Sequence, residues 1–256
     1  MSSVQLAEAT IEFHDSGSGD PVVMLPAGGF DVGYLGDLAE RLEHGGFRAI
    51  GMNPRGAGNS RGPLEQLTLH TFAADAADLI DALAPGRAHV IGHGFSNRIA
   101  RCLVADRPDL IRSVVLLGGI GDIVRDPEVV ARMRMWFRAD ASDAECLEVM
   151  RWEVADPATA ASVLQRVTRC PASAAALVTA DRATAREEWA SFKGEVPVLV
   201  VQGLADRLAP RIDEPALREL FGSNVRLVNV PRAGHMLVVE QPASVAAAVL
   251  SFLRSP

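Results

Sequence analysis

The sequence predicts an α/β protein built on a mostly parallel, doubly wound sheet that is interrupted once by a helical insertion. Three observations carry this. Short apolar, β-branched runs ending in glycine or proline alternate with segments of helical period, the pattern of parallel strands joined by crossover helices. Several of these runs are apolar throughout, as strands buried on both faces must be. Finally, residues 121–190 read as several helices with no strand among them.

In chain order, strands are expected over residues 9–14, 22–25, 48–52, 89–92, 113–117, 197–202 and 225–230. Helices are expected over residues 34–42, 71–83, 97–105, 214–221 and 243–253. Residues 1–120 and 191–256 then form the core, and 121–190 form a helical lid inserted between two strands. Within that segment Met133, Met135, Trp136, Phe137, Met150 and Trp152 either line a pocket or pack helix against helix. All three tryptophans (Trp136, Trp152 and Trp189) fall in it or at its edge. The alanine-rich run 172–176 is a helix former.

The 256 residues, 48% of them hydrophobic, suffice for one large domain with a sizeable core. A net charge of -7 and a pI near 5.4 give no attraction toward nucleic acid or anionic membranes, so a small-molecule ligand is the default partner. No basic leader followed by an apolar stretch and no membrane-spanning run is visible, which reads as a cytoplasmic protein. Nothing indicates the oligomeric state. Cys102, Cys146 and Cys170 match neither a disulfide framework nor a zinc site and read as buried apolar residues. Lys193, the sole lysine, lies in a connecting loop, a poor place for Schiff-base chemistry. No histidine pair has metal-ligand spacing with a carboxylate partner, so neither a metal nor another cofactor is expected.

The chemistry concentrates in four motifs. Val90-Ile91-Gly92-His93-Gly94-Phe95-Ser96-Asn97 resembles the strand, sharp turn and helix of the α/β-hydrolase superfamily, whose elbow has the form Gly-x-nucleophile-x-Gly. Gly92 and Ser96 fill the two small flanking positions, which leaves Gly94 where the nucleophile stands in the family. A shifted register would make Ser96 the nucleophile, but it moves the serine into the first helical turn, where a helix cap is the ordinary role. The elbow residue normally has a strained backbone costing a non-glycine residue about 1 to 3 kcal/mol, a strain glycine avoids. Loss of the nucleophile therefore leaves the turn intact, with vacated volume beside the histidine for a water or a substrate atom. A serine replaced by glycine to trap a substrate would give the same sequence.

The other motifs resemble the rest of the family's site. Val198-Leu199-Val200-Val201-Gln202-Gly203-Leu204-Ala205-Asp206 is similar to the strand and loop of the catalytic acid, which implies Asp206; Asp122 is the alternative, or else a turn or hinge residue. Pro231-Arg232-Ala233-Gly234-His235-Met236 looks like the histidine loop, and the order elbow, acid, histidine also fits. Asp206 would then fix the tautomer of His235 and stabilise its imidazolium. His93 fills a position the family often gives to a buried histidine, and His14, His44, His70 and His89 fall at element ends or in connecting helices. Val22-Val23-Met24-Leu25-Pro26-Ala27-Gly28-Gly29-Phe30 resembles the loop that supplies one oxyanion amide; this implies Gly28, with Gly29 as second choice, paired with Phe95. The loop from Asn53 to Ser60 resembles a bracing loop that usually begins with aspartate.

The resemblance thus implies an α/β-hydrolase fold, and Gly94 closes the acyl-serine route. The expected activity is a His235/Asp206 general base acting on water or directly on a small, largely apolar carbonyl compound, with Gly28 and Phe95 stabilising an oxyanion or enolate. Direct hydrolysis of an ester, lactone or C–C bond fits, as does elimination, isomerisation or cyclisation. Gly29, Phe30, Ser96, Met133, Trp136, Phe137, Trp152 and Met236 are the candidate substrate contacts. A catalytically silent binding protein is the alternative of a different class. Arg125, Arg132, Arg134, Arg138 and Arg151 either recognise a substrate anion or form a solvated helix face.

Overall fold

The computed structural model describes residues 1–84, 86–122, 126–192, 194 and 196–255. Eight strands form one sheet: β1 (Ser2–Gln5), β2 (Thr10–Gly17), β3 (Asp20–Leu25), β4 (Phe47–Met52), β5 (Ala88–His93), β6 (Ile111–Leu117), β7 (Val198–Gly203) and β8 (Val225–Val230). Their spatial order is β1-β2-β4-β3-β5-β6-β7-β8; β1 and β2 are antiparallel to their neighbours and the rest run parallel. The fully apolar runs form the central strands, and β5 and β7 are buried along their whole length.

The differences from expectation lie at the edge and at element starts. Strand β1 is additional to the expected set, because its residues are mostly exposed and carry no apolar period; pairing with β2 makes it a strand. Strand β2 runs on to Gly17, which places His14 inside a strand. The helix expected over 34–42 is a 3-10 turn, Val32–Leu35, followed by α1 (Gly36–His44). Asp31 caps that turn through the Gly33 amide, and the chain winds into α-helix only beyond it.

The remaining core helices are α2 (Leu69–Leu83) and α3 (Ser96–Asp106). Between β6 and β7 stand α4 (Pro127–Phe137), α5 (Asp143–Glu153), α6 (Ala160–Leu164) and α7 (Pro171–Ala183), a helical insertion. After β7 come α8 (Glu214–Phe221), α9 (Leu237–Glu240) and α10 (Pro242–Leu253). A reciprocal Ser142/Glu145 capping box starts α5, and Asp126 caps α4, so the insertion's helices begin where the sequence supplies their caps.

Two apolar clusters flank the sheet. One joins it to α2, α3 and α8, and the other to α1, α10 and most of the insertion. Every parallel strand therefore ends at the edge where the insertion sits, the position at which open α/β sheets bind ligands. Cys102, Cys146 and Cys170 are free and buried. Among the described residues, no helix is long and apolar enough to cross a membrane and no cluster of side chains suits a metal.

Candidate active site

Gly94 sits between β5 and α3 at φ +55°, a conformation that costs glycine little. Its amide donates to Leu117 of β6 at 2.9 Å, which ties the elbow to the neighbouring strand. A Cβ at Gly92 would stand 2.8 Å from the Ser96 carbonyl and from Asn97 Oδ1, so the turn admits no side chain there. At Gly94 itself a Cβ would lie 2.8 Å from His235 Nε2 and 3.5 Å from the Ala27 methyl. The volume expected to be empty is therefore partly taken by the imidazole, which leans toward the elbow more closely than a side chain at position 94 would permit.

His235 is 5% exposed, and its Nδ1 lies 2.9 Å from Asp206 Oδ2. The other Asp206 oxygen accepts the amides of Leu208 and Ala209 at 2.8 and 3.0 Å. Burial pushes the Asp206 carboxyl upward, but the His235 charge and these hydrogen bonds outweigh it and hold the acid below its ordinary range. Burial likewise disfavours the His235 imidazolium, yet the Asp206 carboxylate, with Glu153 and Glu240 acting from further off, raises its pKa over the ordinary histidine value. An ionised Asp206 accepts only, so Nδ1 carries the proton and Nε2 presents its lone pair toward Gly94.

A second histidine holds the first. His93 Nε2 lies 2.9 Å from the His235 carbonyl, which can only accept, so His93 Nδ1 is the acceptor of the Tyr34 hydroxyl at 2.6 Å. The Tyr34 oxygen in turn receives the Ala27 amide at 2.7 Å. The two imidazoles stack with centroids 5.3 Å apart. One buried chain thus runs from the loop after β3 to the histidine loop. It requires a neutral His93, and burial followed by the His235 charge depresses its pKa to about 3. His89, bonded to Ser113, is depressed to about 4, chiefly by burial.

Both values lie below the 6.5 of an unfolded chain, so the unfolded state binds more protons throughout the interval. The contribution of these two histidines to stability is fully present above about pH 6.5 and falls as pH drops toward the folded values, by roughly 1 kcal/mol per pH unit per histidine, while the raised Glu153 carboxyl contributes with the opposite sign. Chemical denaturation at pH 7, 6 and 5 should show the His89 part as a difference: the stability gap between the protein and His89→Asn should move by roughly 1 kcal/mol per pH unit in favour of the variant as pH falls.

A cavity of about 270 Å³ opens at this end of the sheet. Gly28, Phe30, Gly94, Phe95, Met133, Trp136, Phe137 and His235, all singled out in the sequence, stand on its wall. Among the described residues the amides of Gly28 and Phe95 have no acceptor, and both residues face the cavity. Four expected contacts do not reach it. Gly29 packs against the insertion, where a Cβ would meet Ala174 and Phe137 at 3.1 and 3.3 Å, and its carbonyl accepts the Cys170 amide. Trp152 faces away on α5, with the Arg132 guanidinium 5.6 Å over its ring, and Met236 is wholly buried in the core. Ser96 is buried too: its hydroxyl donates to the Pro26 carbonyl at 2.5 Å, neither capping α3 nor facing the cavity.

Asp122 lies on the cavity wall but is held bidentately by Arg186 at 2.6 and 2.9 Å, while His235 takes Asp206. Of the insertion's arginines, Arg132 pairs with Glu128, Arg138 with Asp140 and Glu145, and Arg151 with Glu148, all at the surface. Among the described members of that group, Arg134 alone reaches the cavity; Arg125 and Lys193 fall outside the described residues. Arg98, Asp181, Arg182 and Glu153, none of them expected from the sequence, also line it. Glu153 carries a legible signal: Cys146, Val149, Met150 and Glu153 form the one buried stripe of α5, and a carboxylate ends it.

A family profile described as alpha/beta hydrolase fold matches residues 20–242. The chain belongs to that family. It is 27% identical to the Mycobacterium tuberculosis protein named "Putative non-heme bromoperoxidase BpoC", over 96% of this chain and 98% of that one. Among solved structures, the fold is shared with the enol-lactonase from Burkholderia xenovorans LB400 (TM-score 0.80, 22% identity, 99% of this chain and 100% of that one). It is equally shared with a thermophilic esterase from Thermogutta terrifontis (TM-score 0.79, 22% identity, 99% and 98%). The hydrolase family and the eight-stranded sheet thus agree with the motifs.

Proposed function

We propose that this chain is a hydrolase of the family that acts on a small, largely apolar ester or lactone without a covalent serine intermediate. The observation that carries the reading is the Asp206-bound His235 directing Nε2 at a glycine elbow on the cavity wall. In this mechanism His235 removes a proton from water while the water oxygen attacks the carbonyl carbon. The amides of Gly28 and Phe95 receive the developing oxyanion, each worth about 3 kcal/mol where such donors have been removed. The insertion acts as a lid that excludes bulk solvent. That the fold's neighbours include an esterase and an enol-lactonase agrees with a carbonyl substrate.

Isotope labelling tests the route. A single turnover in ¹⁸O-labelled water should place the label in the acid product, and intact-protein mass spectrometry should find no acyl adduct at any time. An adduct on any residue would sink the proposal, and tight binding with no product would favour a silent binding protein. Gly94→Ser is the converse case. It should cost about 1 to 3 kcal/mol of stability, since a serine must adopt positive φ, and it must displace the His235 ring from its present 2.8 Å approach. With activated esters an acyl adduct should then form on the introduced hydroxyl; its absence would show that the oxyanion loop is not set for acyl transfer.

A further inference from the structure

We infer that Glu153 is the acid of this site, donating a proton to the leaving oxygen while His235 accepts one from water. The inference rests on the general-base reading above and adds a second proton-transfer group to it. Glu153 ends α5, is 3% exposed and lines the same cavity as His235 and Gly94. Its backbone carbonyl accepts the His235 amide at 2.8 Å, which fixes the two residues relative to each other. Its carboxyl is not bonded in the same way: among the described residues, buried Oε2 has no hydrogen-bond partner.

An ionised carboxylate in that position would be poorly satisfied. No cation pairs with it among the described residues, and the negative charges of Asp206 and Glu240 act on it from the acid loop and from α9. Tyr34, in the 3-10 turn, is a neutral neighbour, and the Arg98, Arg134 and Arg182 guanidiniums stand elsewhere on the cavity wall. Glu240 is already committed, its two oxygens taking the amides of Ala155 and Gly234 at 2.6 and 2.8 Å. Among the described residues, no such donor reaches Glu153 Oε2. Burial first, then Asp206 and Glu240, raise it to about 7 against the opposing pull of the His235 charge. A protonated carboxyl there has one hydrogen to give, and the cavity is where a substrate oxygen would receive it.

The step balances. Water loses a proton to His235 Nε2 and its oxygen bonds to the carbonyl carbon. The bond from that carbon to the leaving oxygen breaks, and that oxygen takes the Glu153 proton. Imidazolium and carboxylate are then left side by side, and proton return from one to the other resets the site. The coupling favours the sequence of events, because a positive His235 lowers the proton affinity of Glu153 at the moment of donation.

Glu153→Gln tests the assignment with two probes that share an acyl group, phenyl acetate and 4-nitrophenyl acetate. The phenolate of the first is the more basic leaving group and needs the acid more. The expected result is a fall of about tenfold or more in the ratio of kcat/KM for phenyl to 4-nitrophenyl ester, with loss of the alkaline limb of the pH profile. Equal losses on both esters would overturn the assignment and leave Glu153 a structural residue. His235→Ala, run beside it, tests the base: unchanged rates there would remove the general-base reading and not the carboxyl's protonation. That protonation is read without turnover by infrared difference spectroscopy. A carboxylic C=O band at pH 6 that is lost in Glu153→Gln supports the inference, and no such band at pH 6 overturns it.

Discussion

His235→Ala should lower kcat/KM by roughly 10² to 10⁴, the range over which a positioned general base contributes, without unfolding the protein. The imidazole is the side chain at the elbow that carries a lone pair toward the cavity, and its partner is already committed to holding it. Added imidazole should restore part of the rate, since truncation opens a ring-sized space that is continuous with the cavity. Asp206→Asn separates orientation from presence. An asparagine can still accept the Leu208 and Ala209 amides with its oxygen, but its nitrogen then donates to His235 Nδ1 and forces the proton to Nε2. The wrong tautomer has no lone pair to offer, and a loss of up to about 10⁴ is expected from comparable cases. Steady-state kinetics on an activated ester, with circular dichroism to verify folding, measures both. Rates unchanged in both variants would end the general-base reading.

The second large effect is on stability. Arg55 is 2% exposed and grips Asp75 of α2 bidentately, Nε to Oδ2 at 2.6 Å and Nη2 to Oδ1 at 2.8 Å. Burial pushes Asp75 upward, and Arg55 is what offsets it, while the carboxylate in turn keeps the guanidinium firmly charged. Arg55→Met should therefore cost about 3 to 5 kcal/mol, because it leaves a carboxylate buried without a partner. Arg55→Met combined with Asp75→Leu should recover most of that loss, since neither charge then remains to be desolvated. Urea denaturation of the three variants forms the cycle, and additive losses would show that the pair is not coupled. The same loop anchors the site from below: Asn53 Oδ1 accepts the Val32 amide at 2.7 Å and its Nδ2 donates to Glu12, so a shift at Arg55 also reaches the turn that carries Tyr34.

Much of this was written locally. Runs such as Val198–Gly203 are apolar at nearly every position, and only a central parallel strand buries both faces, so the sheet follows from composition and period. The elbow, acid and histidine motifs lie at strand ends, where short-range turn chemistry places them; Gly94 with its positive φ is readable as glycine's ordinary freedom. The helical character of the insertion and the caps of α4 and α5 were equally local.

Which side chains of the insertion meet the cavity was not local. Met133 and Trp136 of α4 line the cavity; Trp152 of α5 does not, because packing of Cys146, Val149 and Met150 against the core sets the rotational phase of that helix. That same phase turns Glu153 inward beside His235, a residue far along the chain on the loop after β8. The family, the apolar runs that become the sheet and the glycine at the elbow are legible in the chain alone, as all of these depend on neighbours along it. That the imidazole leans into the space at Gly94, and that a carboxyl whose Oε2 has no partner among the described residues joins it, follows only from the packed chain, because burial and long-range hydrogen bonds are its properties alone.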